Sequence, residues 1–217
     1  MNKVTFFAGV LMMTMLLNFG LCRAQEKSVT KVSASSSDQW NFDNAQNGKL
    51  PAGAQVFTGM WAVRAEQGAP SAPNALCQNG IADYPAIVLG TRAYADVTVS
   101  ASFKPISGKE DQAAGIIFRV QDKDNYYILR ANALENNVIL FKYVKGRRSS
   151  IKEGYIKVAK GTWQELRIEA RGTRIRGYLN GTLIVEATDN TFKSGQVGLW
   201  TKADSQSCYD NVSVNML

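Results

Sequence analysis

At 217 residues, with 45% apolar and 20% charged side chains, the chain has the size and composition of one large globular domain. It contains no histidine, which excludes a Ser-His-Asp triad, a histidine-ligated zinc and a histidine base; any hydrolysis would rest on Asp, Glu, Tyr or Lys. The formal charge of +7 comes from basic residues spread along the chain, not from a dense patch interleaved with aromatics, which argues against nucleic acid as a partner.

Residues 1–24 read as a secretory signal. Lys3 supplies the positive start, Val4 to Leu17 is an apolar run, and Cys22-Arg23-Ala24 offers small residues before a cut. The run is too short for a membrane span, so no transmembrane segment is expected after its removal. Cys22 would anchor a lipoprotein, but Leu21 stands where a small residue is needed, so cleavage after Ala24 and export to the periplasm or beyond are expected instead. Removal of Lys3 and Arg23, with no acid, lowers the charge from +7 to +5. Residues 25–38, ending in a serine-rich run, are too polar to bury a core and read as a flexible tether. The folded domain is expected over residues 39–217.

From Trp40 onward the chain is a series of short apolar runs cut by Gly, Pro and Asn. Val56-Phe57, Met60 to Glu66, Ala75 to Gln78 and Pro85 to Leu89 come first. Ala95 to Pro105 alternates with a period of two: Val97, Val99, Ala101 and Phe103 point one way, and Thr98, Ser100, Ser102 and Lys104 the other. The runs Gly115 to Gln121, Tyr126 to Leu134 and Val138 to Tyr143 are joined by the polar turns Asp122 to Asn125 and Glu135 to Asn137, an antiparallel meander. Strands follow around Ser149 to Ile151, Trp163 to Ala170, Arg174 to Leu179 and Leu183 to Ala187, the last two joined by the hairpin signal Asn180-Gly181. Gln196 to Thr201 and Cys208 to Val214 close the chain. No segment has a helical period. About a dozen strands spaced by turns predict an all-β protein, a two-sheet antiparallel jelly-roll sandwich.

Polar residues stand inside the meander strands. Arg119, Gln121, Arg130 and Asn132 share one parity, and pairing about Lys123-Asp124 sets Arg119 near position 128 and Gln121 near 126. They would then form one polar patch able to bind a sugar or carboxylate, or else a set of internal ion pairs with Glu135, Asp124 or Asp204. Tyr126, Tyr143 and Trp200 are the rings available to stack on a sugar, unless they are core, and Lys202 and Asp204 lie at the edge of the same patch. Glu135 is the best single carboxylate for acid catalysis, with Asp204 or Asp124 as its partner; capping of a turn is its alternative role. Asp122, Asp124 and Asn125 are oxygen ligands in one loop that could begin a calcium site, although the rest of a defined calcium loop is missing and a plain turn explains them as well. Arg147-Arg148, with Lys142 and Lys145, reads as a solvated strand face and turn. Cys77 and Cys208 are either a disulfide or two buried thiols.

The segments DNYYILRANALENNV, GTWQELRIEARGTRIRGYLNG, GQVGLWTKADS and YDNVSV resemble exported bacterial proteins of the concanavalin A-like lectin/glucanase superfamily. These are laminin-G-like jelly rolls similar to the 3-keto-disaccharide hydrolase domains. The likeness runs from Trp40 to Val214. It implies a two-sheet jelly roll, but the superfold hosts binding modules, enzymes and structural modules alike. Glucanases of the superfamily carry Glu-x-Asp-x-Glu on one strand, and that triplet is absent here. The expected function is therefore an exported module that binds a glycan or oligosaccharide. The alternatives are a glycoside-active enzyme of the 3-keto-disaccharide hydrolase type, or a structural, protein-binding laminin-G-like module.

Overall fold

The computed structural model of the protein describes Met1, Lys3, Gly9 and residues 37–217. The expected signal, those three residues apart, and the tether up to residue 36 lie outside the described residues. The chain divides into one unit of Met1–Ser33 and a second of Ala34–Leu217.

Fifteen strands are described: β1 (Ser37–Trp40), β2 (Gln55–Thr58), β3 (Trp61–Ala65), β4 (Asn74–Gln78), β5 (Ala86–Tyr94), β6 (Val97–Ser107), β7 (Ala113–Asp122), β8 (Asn125–Asn132), β9 (Asn137–Val144), β10 (Arg147–Tyr155), β11 (Gln164–Arg171), β12 (Arg174–Leu179), β13 (Thr182–Thr188), β14 (Gly195–Trp200) and β15 (Gln206–Met216). They form two antiparallel sheets. The eight-stranded sheet runs β13-β12-β11-β6-β15-β4-β3, with β1 added on β15; the seven-stranded sheet runs β10-β9-β8-β7-β14-β5-β2. The jelly-roll sandwich expected from the sequence is the fold. Ser37 and Asp38, expected in the tether, pair with Asn215 and Val214 as the start of β1. Among the described residues no helix is long and apolar enough to cross a membrane.

Alternation builds the core. On β6, Val97, Val99, Ala101 and Phe103 are buried and meet Ile116, Phe118, Leu129, Leu140 and Leu199 of the other sheet. Each such side chain contributes about 1.5–3 kcal/mol on burial. Packing between the sheets is tight enough at β12 that Gly177 has no room for a side chain: a Cβ there would lie 2.4 Å from Leu129 Cδ1 and 2.7 Å from Val185 Cγ2. Cys77 and Cys208 face each other across β4 and β15 and form a disulfide.

The seven-stranded sheet departs from simple alternation in a way that places the site. Tyr127, Leu129 and Ala131 of β8 face the core between the sheets. Their neighbours Tyr126 and Ile128 point outward, yet they are buried too, in a second cluster drawn wholly from this sheet with Ile117, Ile139, Phe141 and Trp200. A sheet face that meets water does not bury every residue of a strand, so other parts of the chain cover this one. The segment around Ala82 and the segment around Ala203 are stitched together by a bridge between those residues, with further bonds from Thr201 N–H to Pro85 O (2.8 Å) and from Ala203 N–H to Asp83 O (3.3 Å). Gln78, fully buried, donates to Gly80 O, Thr201 Oγ1 and Ser205 O at 3.0–3.1 Å and ties the two segments together.

Candidate functional site

The buried guanidinium of Arg130 is the centre of a polar network on the outer face of the seven-stranded sheet. Its Nη2 donates to Glu135 Oε2 at 2.7 Å and to Asn137 Oδ1 at 2.6 Å, and Nη1 lies 4.0 Å from Asp111 Oδ1. Asp111, also buried, accepts from Asn132 Nδ2 at 2.6 Å and from Lys202 Nζ. Asn137 donates onward to Glu135 (3.0 Å) and Glu153 (2.8 Å). Of the expected patch, the structure brings Arg130, Asn132, Glu135 and Lys202 together, and the buried anion between the Arg130 and Lys202 cations is Asp111. Burial raises the Glu135 carboxyl pKa, but the Arg130 hydrogen bond and charge outweigh it and leave the group below the ordinary carboxylate range. A carboxyl so held is ionised at neutral pH and is not poised as a general acid.

Other expected members lie elsewhere. Arg119 sits at a β-bulge with a φ of 49°, and the β7–β8 register shifts between Phe118 and Asp122. Phe118 therefore pairs with Tyr127 and Ile117 with Ile128, two residues out of step with the register counted from the turn. The bulge turns Arg119 away: its side chain is buried, and its guanidinium donates to Ala95 O (3.2 and 3.0 Å) and Phe192 O (3.0 Å), tying two loops down. Gly195 permits this close approach, since a Cβ on it would lie 2.4 Å from the Arg119 carbonyl carbon. Gln121 follows Arg119 out of the patch and bonds Arg119 O (3.0 Å) and Ser194 O.

Asp204 is occupied by backbone. Its carboxylate accepts the N–H groups of Lys109, Glu110 and Asp111 at 2.6–3.1 Å, and the Lys109 amide foremost lowers its pKa. It anchors the loop that delivers Asp111. In the β7–β8 turn, Asp122 accepts from Asp124 N–H (2.7 Å) and Asn125 Nδ2 (2.9 Å), and Asn125 Oδ1 accepts from Lys145 N–H (3.0 Å). These bonds account for the three residues as a turn. The described residues hold one cluster of metal-ligating type, Glu66 with Cys77 and Cys208, and its two sulfurs are spent in the disulfide. Trp200 is not a platform for a sugar: it is fully buried, beneath Tyr84 stacked on it at 5.8 Å.

The aromatic residues instead build a cleft of about 430 Å³ at the turn end of the same face, lined by Phe57, Thr58, Asp83, Tyr84, Ala86, Lys123, Asp124, Tyr126, Tyr143 and Gly146. Tyr126 and Tyr143 are cross-strand partners stacked at 4.9 Å, and Tyr84 meets Tyr143 edge-on at 5.6 Å. Burial foremost raises the pKa of both Tyr126 and Tyr143, so both hydroxyls remain donors at neutral pH. Trp200 Nε1–H lies close enough to Tyr126 to favour its anion, but the pair lacks hydrogen-bond geometry and Nε1 has no acceptor. Asp124 is paired with Lys123 at 2.7 Å; Asp83 is exposed.

Phe57, Asp83 and Tyr84 of the cleft, Asp111 and Asn137 of the Arg130 network and the neighbouring Arg148 were not singled out as site residues by sequence reasoning. Tyr84 and Asp111 lie in loops, where no period marks a direction. Arg148, read as solvated, is half-buried, with its guanidinium carbon 4.6 Å from the Phe141 ring centre, 4.9 Å from Tyr84 and 5.7 Å from Trp200. Its signal was its position opposite Tyr143 in the β9–β10 hairpin.

Residues 34–215 match the family described as 3-keto-alpha-glucoside-1,2-lyase-like domain. A levanase of Bacillus subtilis (strain 168) is 29% identical over 140 residues; the match covers 63% of this chain but only 20% of that enzyme. Among solved structures, the carbohydrate binding module CBM66 from Bacillus subtilis superposes with a TM-score of 0.64 at 26% identity, covering 75% of this chain and 95% of the module. A beta-glucanase of Bacillus licheniformis superposes with a TM-score of 0.55 over 85% of this chain and 99% of its own, at 12% identity, a likeness of fold alone.

Proposed function

Since the chain belongs to the family of 3-keto-alpha-glucoside-1,2-lyase-like domains, we propose that it is an exported carbohydrate-binding domain that holds a glycan in the tyrosine-lined cleft beside β8 and β9. The cleft itself carries this reading: the partly exposed Tyr84, Tyr143 and Phe57 offer ring faces, and Asp83 and Asp124 offer acceptors for hydroxyls, the mixture of apolar wall and few polar groups that small-ligand sites use. The similar solved module is by name a carbohydrate binding module. Each of the three candidate catalytic carboxylates has a partner: Glu135 has Arg130, Asp204 has backbone amides, and Asp124 has the exposed Lys123. Export agrees with the Cys77–Cys208 disulfide, which an oxidising compartment sustains.

The enzymatic reading retains one observation, the family's description as lyase-like, and Asp83 with Asp124 in the cleft would be its acid–base groups. A glycan array with the mature protein, read beside product release from every sugar that binds, separates the two. Binding without turnover is expected, and Tyr143→Ala should weaken it about tenfold, the order of one stacked ring. Turnover of a bound glycan would replace this reading with the enzymatic one; unchanged affinity in Tyr143→Ala would move the site elsewhere.

A further inference from the structure

The outer face of the seven-stranded sheet carries an unbalanced set of donors. Arg148 has no carboxylate within salt-bridge distance and no hydrogen-bond acceptor among the described residues; its Nη1 is buried without a partner, as are Trp200 Nε1 and Arg130 Nε. The three are neighbours. The Arg148 guanidinium packs against Trp200 and Phe141, and the Arg130 guanidinium lies 5.5 Å from that same Phe141 ring. Arg130 is neutralised by Glu135 and Asp111, whereas Arg148 is held only by aromatic faces. Cation–π contact offsets part of the cost of taking a guanidinium out of water, but it supplies no acceptor for the N–H groups, and buried donors without acceptors are rare in folded proteins. Tyr84, which carries Arg148 on its ring, is also a wall of the tyrosine cleft.

We propose that the glycan bound here is an acidic one, and that a sugar carboxylate is the missing counter-ion of Arg148. This rests on the carbohydrate-binding reading and names its ligand class. A carboxylate brings two acceptor oxygens that match the planar guanidinium, while the sugar ring lies on Tyr84 and Tyr143, the partly exposed tyrosines of the cleft. The acids of the cleft do not contradict it: Lys123 neutralises Asp124 at 2.7 Å, and neither Asp83 nor Asp124 pairs with Arg148. A neutral sugar would bring no counter-charge to Arg148.

The test compares polygalacturonate, polymannuronate and hyaluronate, each with its own carboxyl-reduced form, by affinity electrophoresis and calorimetry on the mature protein. The salt is about 0.15 M, where diffuse attraction is screened beyond roughly 8 Å. At least one acidic polymer should bind about tenfold tighter than its reduced form, the order of one charge-assisted hydrogen bond. Arg148→Gln should abolish that preference and Arg148→Lys should keep part of it. Arg147→Gln, which removes the same charge from an exposed neighbour, should leave it intact. Equal losses in the two Gln variants would mean diffuse electrostatics and overturn the proposal. If Arg148→Gln does not fold, the wild-type comparison still decides. Reduced polymers binding as well as acidic ones would overturn the acidic-ligand inference and leave the carbohydrate reading standing. Binding to no glycan, on this panel or the array, would overturn both.

Discussion

Arg130→Met removes the hub of the buried network while keeping its volume, and its cost follows from the partners it strands. Breaking a buried ion pair typically costs about 3–5 kcal/mol. Here the stranded groups are not equal. The Glu135 side chain is 45% exposed and can be resolvated, and Asp111 keeps Lys202 and Asn132, so the loss should fall to about 2–3 kcal/mol. At roughly 2–4 °C per kcal/mol for a domain of this size, the melting temperature should drop by about 4–12 °C, read by calorimetry at pH 7. The effect should also depend on pH. The folded-state pKa of Glu135 is depressed, so its share of the stability is present above the unfolded carboxylate value, near about 4.3, and is lost as pH falls through the lower folded value. The gap between wild type and variant should therefore narrow below about pH 4. A drop of less than about 2 °C at pH 7 would refute the assignment of Arg130 as the hub.

Two further outcomes test the frame around the site. The Cys77→Ala/Cys208→Ala protein loses a cross-link spanning 131 residues and should lose about 2–5 kcal/mol in urea unfolding; titration of the denatured, non-reduced mature protein should find no free thiol, and two per chain would overturn the bridge. Gly177→Ala should lower the denaturation midpoint by about 1–3 kcal/mol of stability with an unchanged m-value, because its Cβ would meet Leu129 and Val185 in the core; an unaffected midpoint would show that the two sheets separate there at little cost.

The strands were legible because each carries its own signal. The period of two in β6 gave its buried face residue by residue, and Asn180-Gly181, with Asn180 at a φ of 48° and Gly181 at 78°, marked the β12–β13 hairpin. What failed was register. Counting pairs back from the β7–β8 turn assumed an unbroken ladder, and the bulge at Arg119 broke it, moving Arg119 and Gln121 off the site. A bulge of this kind depends on what lies opposite, here the loops that offer Ala95 O and Phe192 O, and those loops are remote in sequence. The aromatic residues divide for the same reason. Tyr126 and Tyr143 belong to strands and could be placed by parity, whereas the ring that covers Trp200 is Tyr84, from a loop whose Gly80 carbonyl is bonded by Gln78 and whose Pro85 carbonyl is bonded by the Thr201 amide.

The layout of β8 separates framework from function. Its outward residues run from Tyr126 at the cleft to Asn132 in the Arg130 network, six residues or about 20 Å apart. At the Asn132 end the charges close on one another: Arg130, Asp111, Lys202 and Glu135 each have partners within the chain. Binding a ligand there would mean breaking bonds already made. At the Tyr126 end the balance is open, with ring faces bordering a cleft and a cation held on aromatic rings without an acceptor. The closed end fixes the loops that carry Asp111 and Lys202. The open end retains unspent interaction energy, and a ligand gains most where it satisfies groups the fold has left unmet. The most conspicuous polar residues of the sequence, Arg119 and Arg130, thus hold the sheet in shape, while the proposed recognition surface draws on Tyr143, which read from the sequence as a stacking ring or core, on Arg148, which read as solvated surface, and on Tyr84, which carried no signal.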